Sequence, residues 1–120
     1  MSDFELKDPI PTPQERINKL CRIIGPAMTK EAIDSEAHNI KRVILWQDGE
    51  VPPPEVRARL ELLDVTVESL IDDGNSPSAI RALLRDPNRE LDDRAILTII
   101  AHEPVEIAGP LLLNAIDRLA

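Results

Sequence analysis

The chain has no tyrosine, one phenylalanine, one tryptophan and one cysteine, and only four glycines among its 120 residues. Each scarcity removes a class of function. Without aromatic side chains there is no platform on which successive single-stranded bases could stack. The lone Cys21 has no partner for an internal disulfide and none at metal-site spacing, which fits a reducing compartment and a buried, small apolar role. The glycines are scattered, so there is no glycine-rich phosphate loop. No apolar run approaches the roughly 18 residues of a membrane span, and the acidic start MSDFELKDP lacks the basic and apolar regions of a secretory signal. A cytoplasmic protein with no membrane contact is expected.

Positive charge is short as well. Fourteen Lys and Arg face 22 Asp and Glu, a formal net charge of -8. A nonspecific nucleic-acid coat is excluded, because each phosphate contact needs a cation and the remaining field repels the backbone. The deficit is uneven: residues 1–48 carry 7 basic against 8 acidic residues, whereas residues 49–120 carry 7 against 14. The two halves are therefore expected to have different partners.

Catalytic chemistry is hard to find. His38 and His102 are the only histidines and neither sits in a zinc-binding pattern. No serine lies in a nucleophile elbow. The pairs Asp72-Asp73 and Asp92-Asp93 fall next to helix termini, where capping and solvation account for Asp92-Asp93; Asp72-Asp73 at a helix C-terminus is mildly unfavourable to the dipole and has no such account. No catalytic residue, metal or cofactor is expected.

Proline, by contrast, is plentiful, with 11 residues that punctuate a helical pattern. Thr12-Pro13-Gln14-Glu15 is a capping box with proline at the first helical position, followed by Ile17, Leu20, Cys21 and Ile24 on one stripe. Gly25-Pro26 stops that helix. A short helix is expected from Thr29 to Ile33, and a third from Asp34 or Ser35, with Ala37, Ile40 and Ile44 on its inner face. Val51-Pro52-Pro53-Pro54 reads as a stiff connector. Beyond it, Val56, Leu60, Leu63, Val67, Leu70 and Ile71 mark a long helix, and Ser76-Pro77 opens one carrying Ile80, Leu83 and Leu84. Asp92 or Asp93 is expected to cap a helix bearing Ile96, Ile99 and Ile100. The last segment buries Val105, Ala108, Leu112, Ala115 or Ile116, and Leu119, with a kink or break at Gly109-Pro110. Nothing alternates with period two, so the class is all-α. The division expected is a flexible N-terminus (1–11), a helix-turn-helix-like region (12–50), a proline connector (51–54) and a helical binding domain (55–120).

A binding module is what remains. Three short helices with a tight second junction are arranged as in a helix-turn-helix, and the third offers His38, Asn39, Lys41 and Arg42 to base edges or phosphates. The acidic background means that DNA binding would require a dimer and low salt.

The run W-x-x-G-x-x-P at Trp46, Gly49 and Pro52, the segment AIRALLRDPNRELDDRAILTII at residues 79–100 and the apolar final helix together resemble the Xre/MbcA/ParS family of antitoxins. The family hallmark is similar to W-L-x-x-P-N-x-x-L-x-x-R-x-P, which Leu84, Pro87, Asn88, Leu91 and Arg94 match. Leu83 stands where the family has tryptophan and keeps an apolar contact. Ile96 replaces the last proline and loses only a preset first-turn dihedral. His102-Glu103-Pro104 replaces the family's glycine-acid turn.

The resemblance implies an N-terminal DNA-binding region and a C-terminal domain that pairs with a RES-domain toxin consuming or transferring from NAD. Inhibition would be steric, with the C-terminal end (Asn114, Asp117, Arg118, Leu119 and Ala120) at the mouth of the toxin's NAD pocket. Arg81 and Arg94 join these as interface or bridging charges. A homodimer within a larger toxin–antitoxin complex and repression of its own operon at operator DNA are further implications. The alternative is a stand-alone Xre-type transcriptional repressor, and a third reading is an acidic scaffold.

Overall fold

The computed structural model describes residues 11–34 and 41–118. Among them are seven α-helices: α1 (Pro13–Ile23), α2 (Pro26–Ile33), α3 (Lys41–Gln47), α4 (Pro54–Asp72), α5 (Pro77–Arg85), α6 (Ile96–His102) and α7 (Val105–Ala115). Short 3-10 turns cover Arg89–Leu91 and Ile116–Arg118. The β pairing among the described residues is limited to an isolated bridge between Asn88 and Arg94, so the molecule is all-α.

Local chemistry sets the helix ends. Four helices open on proline, at Pro13, Pro26, Pro54 and Pro77, where the missing amide hydrogen would have had no helical acceptor in any case. The capping box at α1 is complete: Thr12 Oγ1 accepts from the Glu15 amide at 3.1 Å, and Glu15 Oε1 accepts from the Thr12 amide at 2.9 Å. Ser76 caps α5 through the Ala79 amide at 3.2 Å. At the far end of α4, Gly74 takes φ +91°, and the Asn75 amide and side chain both donate to the Leu70 carbonyl.

The 19-residue α4 is the axis, with α1 and α2 packed against it from one half of the chain and α5, α6 and α7 from the other. One continuous core results. Ile17, Leu20 and Ile33 share it with Leu60, Leu63, Ile80, Leu84, Ile96, Ile99 and Leu112. Each such side chain, removed from water, contributes about 1.5–3 kcal/mol. Polar stitching reinforces the junction between the halves: Arg16 reaches Asp64 at 3.1 Å, Lys19 pairs with both Asp64 and Glu68, and Arg81 donates to the Ile23 carbonyl at 2.9 Å. Burial alone pulls the Lys19 ammonium pKa down, but Asp64 and Glu68 outweigh it and the net shift is upward.

Several expectations are corrected. The second helix begins at Pro26, three residues before Thr29, because Gly25 at φ +91° turns the chain directly into a proline start. Thr29 is consequently inside the helix, its hydroxyl donating to the Gly25 carbonyl at 2.9 Å. In α3, Val43 and Trp46 are buried, while Ile44 is 47% exposed. That helix packs on α1, so a single i, i+3 pair suffices to cover its inner side. Ile71 is also exposed, since α4 is already ending there. Pro110 does not break α7, which runs through it from Val105 to Ala115. Pro110 and Glu106 both lie on the exposed side, where water can satisfy the carbonyl that proline leaves free.

Candidate functional site

The segment RDPNRELDDR folds as a compact knot between α5 and α6. Asn88 organises it. Its side-chain oxygen accepts from the Glu90 amide at 2.8 Å, its carbonyl accepts from the amides of Leu91 and Asp93 at 2.9 Å each, and its own amide donates to the Arg94 carbonyl at 3.1 Å. Leu91 plugs the knot into the core. Closing so short a loop forces Asp92 and Asp93 into consecutive left-handed conformations, at φ 58° and 62°. Aspartate tolerates that region better than most side chains. Neither residue caps α6, contrary to expectation. Asp92 terminates the 3-10 turn instead, and α6 starts after Ala95 with no side-chain cap, because the left-handed pair spends the polar residues on the turn.

Two ion pairs tie this knot to its neighbours, one to the α6–α7 junction and one to the C-terminal turn. Arg94 donates to Glu103 Oε2 at 2.7 Å, across the α6–α7 junction, and Arg118 reaches Glu90 Oε2 at 2.9 Å from the C-terminal turn. Both pairs are partly exposed, so each contributes little to stability. Arg94 and Arg118 are thus each held by a carboxylate, Glu103 and Glu90, that sequence reasoning did not single out, at the two ends of α7, and Asn114 is exposed on that helix. Arg81 is not part of this corner contact: its guanidinium is engaged by α1. Asp117 lies in the C-terminal 3-10 turn. Leu119 and Ala120 lie outside the described residues.

At the other candidate region, His38 and Asn39 lie outside the described residues, and Lys41 opens α3. Arg42 is held within the molecule. It pairs with Asp34 at 3.1 Å, and its guanidinium stands 5.3 Å from the centroid of the Trp46 ring. Trp46 is buried, in keeping with a core anchor.

Between the two regions lies a polar cleft of 540 Å³ lined by Ile33, Asp34, Arg42, Glu55, Arg59 and His102 among others. Its cations are internally matched: Arg42 by Asp34, and Arg59 by Glu55 at 2.6 Å and by the Ile100 carbonyl at 3.1 Å. No spacing rule could have found this group, because its members are drawn from four helices and the segment after α2. Among the described residues no cluster of three or more His, Cys, Asp and Glu side chains could hold a metal ion. No helix described is long and apolar enough to cross a membrane.

No protein-family model, no curated protein and no solved structure matches this chain.

Proposed function

We propose that this chain is an antitoxin-type inhibitor, without catalytic activity or cofactor, that binds a RES-domain toxin acting on NAD and occludes its nucleotide pocket with the end of the chain. The observation that carries the reading is the joining of two features. The segment resembling the antitoxin hallmark, including Pro87, Asn88, Leu91 and Arg94, meets the C-terminal turn through the Arg118–Glu90 pair and the α6–α7 junction through the Arg94–Glu103 pair. The C-terminal turn and the hallmark segment thus lie beside one another, where one partner can meet both. The acid-rich second half suits a pocket built to hold phosphates.

The stand-alone repressor reading is weaker on the chemistry of α3. Arg42 is already committed to Asp34 and Trp46, and Ile44 and Leu45 are exposed on the same short helix where a DNA reader would carry polar groups.

Co-expression with the toxin tests the proposal. Ala115 and Ile116 belong to the core, so the truncation that spares the fold removes residues 117–120 rather than the whole of 114–120. The truncated chain is expected to unfold at the same temperature as the full chain within a few degrees, yet to release NAD consumption. Full inhibition by the truncated chain would remove the occlusion model.

A further inference from the structure

We draw no further inference here: the strongest candidate, the polar cleft lined by Asp34, Arg42, Glu55, Arg59 and His102, has both guanidiniums already matched by carboxylates and borders residues outside those described, so nothing in the structure shows what would occupy it.

Discussion

The seam between α1 and α4 and the corner that joins the RDPNRELDDR knot to the C-terminus are both closed by ion pairs, yet water reaches them very differently. At the seam, the Asp64 side chain is 8% exposed and serves Arg16 and Lys19 together. At the corner, Glu90 and Arg118 are 42% and 59% exposed and serve only each other. Bonds of one chemical kind therefore do two jobs. The Asp64 carboxylate stripped of its partners would be a charge shielded from water, and Arg16 stripped of Asp64 a largely shielded one, so the seam is far less dispensable than the corner. Exposed charges exchange protein partners for water at almost no cost, so the corner can give up its internal pairs to a docking protein.

Asp64→Ala is the sharpest way to break that contrast. It should cost about 2–4 kcal/mol in denaturant unfolding, the buried-pair range discounted for the partial exposure of Lys19. A loss below about 1 kcal/mol would place the seam on the same footing as the corner.

Alkaline titration comes next. The folded pKa of Lys19 lies above its ordinary value of 10.5, so its contribution is complete below 10.5 and is lost as pH rises through the folded value. With no tyrosine in the chain, few other groups titrate there. Burial raises Cys21 from 9.0 and acts with the same sign. The Lys19 contribution is therefore the difference between the unaltered chain and Lys19→Gln, both of which keep Cys21. Thermal unfolding between pH 9 and 11.5 should fall more steeply in the unaltered chain, and parallel curves would remove Lys19 from the seam.

The parts of this arrangement that could be read from the sequence are those governed by local rules. The capping box at Thr12, the Ser76 cap, the stops at Gly25 and Gly74 and most of the α4 stripe depend on neighbours within one turn of helix. The Asp64 seam escaped because a charge at a buried position looks like any surface aspartate until its partners, 45 and 48 residues away in sequence, are folded onto it. The corner escaped in part for the same reason: Glu90 and Glu103 acquire meaning only through Arg118 and Arg94. The cap expected at Asp92 or Asp93 failed because a polar residue before a helix pattern is equally suited to close a tight turn, and only the loop's length decides which. Pro110 misled by its helix-breaking preference, which is weakest where the freed carbonyl faces water.

Removing the corner pairs should have a smaller effect than any change at the seam. Arg94→Ala combined with Arg118→Ala is expected to cost about 1 kcal/mol or less in denaturant unfolding, and a loss above about 2 kcal/mol would show the corner to be as obligatory as the seam.

The knot itself supplies the smallest and most direct comparison. Asp92 and Asp93 are exposed, so what each contributes beyond charge is its backbone. In the left-handed region an ordinary L-residue carries about 1–2 kcal/mol of steric cost, which glycine lacks, against roughly 0.5–1 kcal/mol that glycine loses in chain entropy. Asp93→Gly should therefore be neutral or stabilising by about 0.5 kcal/mol, while Asp93→Ala should destabilise by about 1 kcal/mol. The sign of the Gly-minus-Ala difference matters more than its size, since both substitutions remove the same charge. If alanine proved as stable as glycine at position 93, the knot would not hold its left-handed pair in solution.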